Sequence, residues 1–182
     1  IAVGVNVTSK IEGLATLQAN FEKLASQSVP KCVSKSINKV ARNAIKNGTK
    51  AVSKEVKAPI KLIKKRVQLT KKATLRRPVA KIRVNRGNLP LIRLLESSRY
   101  RINIGLGQVK IGQHRVQRGF IQTLSSGRKQ VMQRRGKSRY PIDVVKIPLA
   151  TPLTNAFNRE LKNYSDQLKV ELSKELSAVF RK

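Results

Sequence analysis

In Val79-Ala80-Lys81-Ile82-Arg83-Val84 the side chains alternate, with Ala80, Ile82 and Val84 on one side and Val79, Lys81 and Arg83 on the other. A period of two marks a strand with one covered face and one wet face. Arg101-Ile102-Asn103-Ile104 repeats the pattern, again setting cations opposite aliphatics. Outward from these, residues 120–124, 129–133 and 144–147 read as further strands. Ser125, Ser126 and Gly127 form a hairpin loop, and Gly87-Asn88 and residues 105–112 supply turns. Together they predict an antiparallel sheet. Gly105, Gly107 and Gly112 look superficially like a phosphate loop, but alternating residues flank them and no helix start follows, so they read as a hairpin.

Helical periodicity brackets this region. Residues 2–7 alternate like a strand, Thr8 or Ser9 is placed to cap a helix, and Glu12 three residues after Ser9 completes a capping box. Ile11, Leu14, Leu17, Phe21 and Leu24 then recur at helical spacing, with a break expected at residues 28–30. A second helix is expected from about Pro30 to about Val56. Its Lys31, Lys35, Lys39, Arg42, Lys46, Lys50 and Lys54 form a basic stripe opposite Val33, Ile37, Val40, Ala41, Ala44 and Ala51. Solvated helices usually mix signs for support between residues four apart, so a stripe without acids points to anion contact, with Lys35, Lys39, Arg42 and Lys46 as candidates. After Pro59 comes a short amphipathic piece, Ile60, Leu62, Ile63 and Val67. A last helix, from about Pro152 to about Phe180, carries Phe157, Leu161, Tyr164, Leu168, Leu172, Leu176 and Val179 and is expected to cover the sheet. The whole reads as one α+β domain: an antiparallel sheet packed with long amphipathic helices, helical over 9–68, basic and β-rich over 72–148, and helical again over 152–180.

Charge narrows the function. The chain has 40 Lys and Arg against 9 Asp and Glu, a formal charge of +31. Between Lys57 and Ile142 stand 24 of those cations against one carboxylate, Glu96. Self-repulsion opposes compaction unless a polyanion or partner relieves it. Four Phe, three Tyr and no Trp offer few rings for stacking unpaired bases, so a duplex or phosphate backbone suits the composition better. Each neutralised phosphate releases a counterion, giving steep salt dependence with little sequence preference. No helix-turn-helix, zinc-finger or heptad signature supplies base readout. The first residues lack a basic n-region and a long apolar core, and no run is long enough to span a membrane, so the sequence points to a cytoplasmic product without a membrane partner.

Little in the chain converges on catalysis. With one cysteine, Cys32, and one histidine, His114, no intramolecular disulfide forms and no four-ligand Cys/His zinc site assembles. No cofactor or metal is expected. Cys32 reads as a buried structural thiol, His114 as a loop or strand-edge residue, Glu96 as an anchor for nearby arginines, and Asp143 as an ion-pair partner of Arg139. A nuclease using Asp143 and Glu96 as metal ligands is the weakest of the alternatives.

Two stretches carry a resemblance. Lys81-Ile-Arg-Val-Asn-Arg-Gly-Asn-Leu-Pro-Leu-Ile-Arg93, and Gly119-Phe-Ile-Gln-Thr-Leu followed by Gly127-Arg and Val131-Met-Gln-Arg134, resemble the minor tail protein Z family of lambda-like phages. Arg139-Tyr-Pro-Ile-Asp-Val-Val-Lys-Ile-Pro148, with Pro152-Leu-Thr and Ala156-Phe157, resembles it still more closely. The resemblance implies a tail completion protein with the α+β fold of tail-completion and terminator proteins, assembled in the host cytoplasm into the virion at the head-proximal end of a long non-contractile tail. It implies no catalysis, and partners among tail and neck proteins in a homo-hexameric ring. In that setting a basic face borders a channel carrying double-stranded DNA, with Arg83, Arg86, Arg93, Arg99, Arg101, Arg134, Arg135 and Arg139 as contacts. Changing Arg134 and Arg135 to Glu is expected to spare folding. The alternative is a soluble, sequence-nonspecific nucleic-acid-binding protein acting as a monomer or dimer.

Overall fold

The computed structural model describes residues 14–105 and 107–181. The expected strand at 2–7, the cap at Thr8 or Ser9, the capping-box Glu12 and Ile11 lie outside those residues. Helix α1 (Leu14–Lys23) runs through a π-helical turn, Leu24–Ser28, into α2 (Val29–Glu55). The break expected at residues 28–30 does not occur. Proline cannot donate to the carbonyl four residues back and its ring clashes there, so it normally kinks or ends a helix. Here the wider turn precedes Pro30, with Val29 N–H bonded to the Leu24 carbonyl five residues back, and the chain continues as helix.

The inward face of α2 is built from small residues. Cys32, Ser36, Val40, Ala44, Gly48 and Val52 are all buried, four residues apart, with Ala41 and Thr49 beside them. Of the expected inward set, Val33 and Ile37 are only half-buried and Ala51 is exposed. The face is rotated toward serine and threonine; two of these hydroxyls are satisfied on their own helix, whereas the Oγ of fully buried Ser36 has no hydrogen-bond partner. Thr49 Oγ1 donates to the Ile45 carbonyl at 2.7 Å and Ser34 Oγ to that of Lys31 at 3.0 Å.

Small residues let two helices come close. The last helix of the sequence reading is two: α4 (Ala150–Lys162) and α5 (Tyr164–Phe180), separated by Asn163 at φ −105° and ψ 20°. Asparagine tolerates such non-helical geometry better than most residues. Both run antiparallel to α2, since Asn47 meets Glu160 whereas Cys32 and Lys35 meet Glu175. The kink divides the apolar series. Phe157 is buried, Leu161 and Tyr164 are exposed, and Leu168, Leu172, Leu176 and Val179 are half-buried. Alpha5 thus contributes no fully buried residue, and it packs along α2 rather than over a sheet.

Between α2 and α4 lie α3 (Ile60–Lys64) and ten short strands. They are β1 (Val67–Lys71), β2 (Lys81–Val84), β3 (Leu89–Pro90), β4 (Ile102–Gly105), β5 (Gln108–Ile111), β6 (His114–Gln117), β7 (Gly119–Thr123), β8 (Lys129–Arg134), β9 (Ile142–Val144) and β10 (Lys146–Ile147). A 3₁₀ turn, Leu91–Glu96, follows β3. All pairings are antiparallel, as the α+β reading requires, but they make four small sheets rather than one: β1–β2, β3–β10, β4–β5–β6 and β7–β8–β9. One physical cause sits between β6 and β7. Arg118 adopts φ 52°, and a Cβ on Gly119 would stand 2.8 Å from Val116, so the chain turns a tight corner and leaves the first meander.

Residues 105–112 are not simply a turn. Gly107 (φ 71°) and Gly112 (φ 60°) each sit in a two-residue connection, and β5 lies between them with Val109 and Ile111 fully buried. The core joins Val52 of α2, Ile63 of α3, Leu91 and Leu94 of the 3₁₀ turn, Val109 and Ile111, Val131 of β8, and Leu149 and Leu153 around the start of α4. Each such aliphatic side chain contributes about 1.5 to 3 kcal/mol on burial. The long connection from β1 to β2 is pinned to α2. Asn38 donates from Nδ2 to the Ala73 carbonyl at 2.9 Å and accepts the Ala73 N–H at 2.8 Å.

Candidate polyanion-binding surface

Strand register decides where the cations point. Val67 pairs with Val84 and Gln68 with Arg83, and the ladder continues with Asn85 N–H donating to the Arg66 carbonyl at 2.8 Å. Side chains alternate, so Val67, Ile82 and Val84 turn toward the core while Gln68, Lys81 and Arg83 turn outward. Arg86 follows in the loop. Arg83 and Arg86 line a cleft of about 420 Å³ together with Lys65, Arg66, Gln68, Val84 and Asn85.

Arg66 is the half-buried cation of that group. Its guanidinium donates to the carbonyls of Gly87 at 2.5 Å and Asn88 at 3.2 Å, so the 85–88 loop holds it in place. Burial, and then the like charge of Arg93, depress its pKa below the ordinary guanidinium value. Lys65 Nζ lies 3.9 Å from Glu96 Oε2, and Arg93 Nε lies 2.6 Å from Glu96 Oε1. Glu96 does anchor neighbouring cations, as its isolation in the sequence suggests. The sequence reading passed over Lys65 and Arg66 because they sit where helix gives way to strand. The signal was available in the alternation Arg66, Val67, Gln68, which continues the pleat of β1.

The remaining arginines fall into two sets. Arg99 and Arg101 are exposed, and no carboxylate of the described residues lies within 4 Å of either. The other set gathers at the connection from β8 to β9. Arg134 donates to the Arg139 carbonyl at 3.0 Å and lies 5.1 Å from the Phe120 ring centroid, and the Arg139 guanidinium lies 5.7 Å from the ring of Tyr140. Asp143 pairs with Arg135 and not with Arg139, because pairing of Gln133 with Asp143 in the ladder brings Arg135 to the same strand end. That hydrogen bond and charge hold the Arg135 pKa above its ordinary value. Arg134 and Arg135 therefore both hold the 134–143 connection, and changing them to Glu would disturb structure as well as surface charge.

On α2 the stripe is also divided. Lys39 Nζ sits 2.6 Å from Glu171 Oε2 and Lys35 Nζ 3.8 Å from Glu175 Oε2. The hydrogen bond to Glu171 raises the Lys39 pKa. The same bond lowers that of Glu171 against the opposing effect of its burial, its side chain being 14% exposed. Acids spaced by four on α5 thus face cations spaced by four on α2, a pairing that neither helix reveals alone. Arg42 and Lys46 are exposed and have no carboxylate among the described residues within 4 Å.

The other singled-out groups sit as follows. Cys32 is buried, with its thiol 3.7 Å from the Glu175 carbonyl. His114 opens β6 at the strand edge, half-buried, with its Nε2 atom buried and without a hydrogen-bond partner. Among the described residues no three His, Cys, Asp or Glu side chains are grouped to hold a metal ion, and no helix is long and apolar enough to cross a membrane.

No solved structure matches the chain significantly. It is 42% identical over 157 residues to the tail completion protein of Escherichia phage N15, covering 83% of this chain and 85% of that protein. It is 39% identical over 166 residues to tail completion protein Z of Escherichia phage lambda, covering 84% and 86%. The family profile of prophage minor tail protein Z (GPZ) matches residues 11–182, and the chain belongs to that family.

Proposed function

We propose that this chain is a structural tail completion protein. It forms a ring, six copies around, at the head-proximal end of a long non-contractile phage tail, and it meets DNA or neighbouring tail proteins through its basic surface. The observation that carries the reading is the family match over residues 11–182, with two relatives that are themselves tail completion proteins. The exposed cations Arg42, Lys46, Arg83, Arg86, Arg99 and Arg101 give such a ring an electropositive face. Its role is positional and electrostatic, without catalysis or cofactor, and its place is the virion.

The test is mass in solution and in purified particles, together with a map of the head-proximal tail end. Multiple copies around the tail axis are expected. A monomer absent from particles would overturn the reading in favour of a soluble nucleic-acid binder.

A further inference from the structure

We infer that the cleft between the β1–β2 hairpin and the 85–88 loop, lined by Lys65, Arg66, Arg83 and Arg86, is a binding site for the phosphodiester backbone of duplex DNA. This rests on the proposed basic-surface function and deepens it by naming the site and the ligand.

Four cations, from the α3–β1 junction, β2 and the 85–88 loop, converge on a concavity that no carboxylate lines, Lys65 alone among them having an acid, Glu96, within 4 Å. The site is built rather than incidental, because the Gly87 and Asn88 carbonyls fix one guanidinium and Asn85 Oδ1 in turn accepts the Gly87 N–H at 3.0 Å. Arg83 and Arg86 are exposed and carry no hydrogen bond or ion pair among the described residues, so their donors are free for a ligand. Planar guanidinium forks match phosphate oxygens two at a time. An anion here would also relieve the charge stress on Arg66, whose protonated form burial and Arg93 disfavour.

Duplex DNA is favoured over an acidic polypeptide by the periodicity beyond the cleft. Lys81 and Arg83 share the outer face of β2, two residues apart, which sets them about 7 Å from each other. Lys81 beside Arg83 thus extends the cationic contact of the cleft along a regularly charged backbone. No aromatic side chain lines the cleft, so nothing there stacks an unpaired base.

The experiment is fluorescence anisotropy of the full chain on a duplex of 20 base pairs across a salt series. It compares wild type with Arg83→Gln/Arg86→Gln and with Arg159→Gln/Lys162→Gln on α4, all three checked for unchanged circular dichroism and melting. Losing two phosphate contacts lowers the slope of log affinity against log salt by about 1.8 and the affinity by roughly 60-fold at 0.1 M salt. The cleft variant is expected to show both changes and the α4 variant only a few-fold loss.

Equal losses in the two variants, or none in the cleft variant, would overturn the site while leaving the tail role standing. A wild-type chain that shows no salt-dependent duplex binding would overturn the DNA assignment as a whole. Sodium phosphate displacing DNA far better than chloride at equal ionic strength would reassign the cleft to free phosphate. Tighter binding of poly-glutamate than of DNA, lost on the same substitutions, would reassign it to an acidic protein. The tail role itself is decided by the particle experiment.

Discussion

Replacing Gly48 with alanine puts a methyl group where the Phe157 ring already stands. A Cβ built there lies 3.0, 3.1 and 3.2 Å from three ring carbons, whereas carbon atoms prefer about 3.5 to 4.0 Å. Two effects oppose each other. Alanine gains about 1 kcal/mol over glycine in a helix interior. Moving a ring that is 5% exposed, inside a close-packed core, costs about 1 to 3 kcal/mol. The middle of that range gives a net loss of about 1 kcal/mol, a melting temperature lower by about 2 to 4 °C for a chain of this size. Gly48→Val gains less from propensity and adds branched carbons, so its loss should reach about 2 to 3 kcal/mol.

Thermal and urea unfolding of Gly48→Ala, Phe157→Leu and the double variant would measure this. In the double variant the smaller side chain makes room, and the two changes should couple favourably by about 1 kcal/mol or more. If Gly48→Ala instead raises stability by the full propensity gain, with no coupling to position 157, the close approach of α4 to α2 does not require glycine and the reasoning fails.

Two further outcomes follow from side-chain contacts. Glu171 has a folded pKa depressed by Lys39, so its contribution is present above the unfolded carboxylate value of about 4.3 and is lost as pH falls through the lower folded value. The stability gap between wild type and Glu171→Gln should therefore stay flat from pH 5 to 9 and close below about pH 4; a gap persisting at pH 3 would assign the effect to packing. Asn38→Ala leaves both backbone groups of buried Ala73 without their partner, costing about 1 to 3 kcal/mol. Trypsin should then cut faster after Lys72 and Arg76, and unchanged cleavage would mean that the connection is held by something else.

Periodicity made the α+β class readable, because 79–84 and the cationic stripe on α2 carry patterns of different period within one chain. What it could not reveal are features set by contact between distant segments. The division between the β4–β5–β6 and β7–β8–β9 sheets follows from the corner at Arg118 and Gly119, and no alternation announces a corner. Beta5 was hidden inside its own glycines, although Gln108-Val109-Lys110-Ile111 alternates cleanly. The apolar stripe from Phe157 to Val179 looks continuous because a kink at one asparagine re-aims a helix without altering residue spacing.

The candidate surface divides along the same line. That Arg83 faces outward was legible in the β2 alternation. That Lys35 and Lys39 face acids was not, since Glu171 and Glu175 lie more than a hundred residues away. Arg134 and Arg135 show that a cation in a basic block can be holding a connection in place.

The ion pairs carry a consequence for self-association. Glu96, Asp143, Asp166, Glu171 and Glu175 each lie within 4 Å of a lysine or arginine of the same chain. Among the described acids, only Glu22, Glu55 and Glu160 lack such a cation, too few to offset what a second copy would bring. Identical copies therefore repel at long range, over a Debye length of about 8 Å in physiological salt, and any association between them needs short-range packing or an anion that neither supplies. For the proposed ring this constrains the order of events chemically: polyanion first or salt high favours gathering, while dilute, salt-poor solution keeps the copies apart.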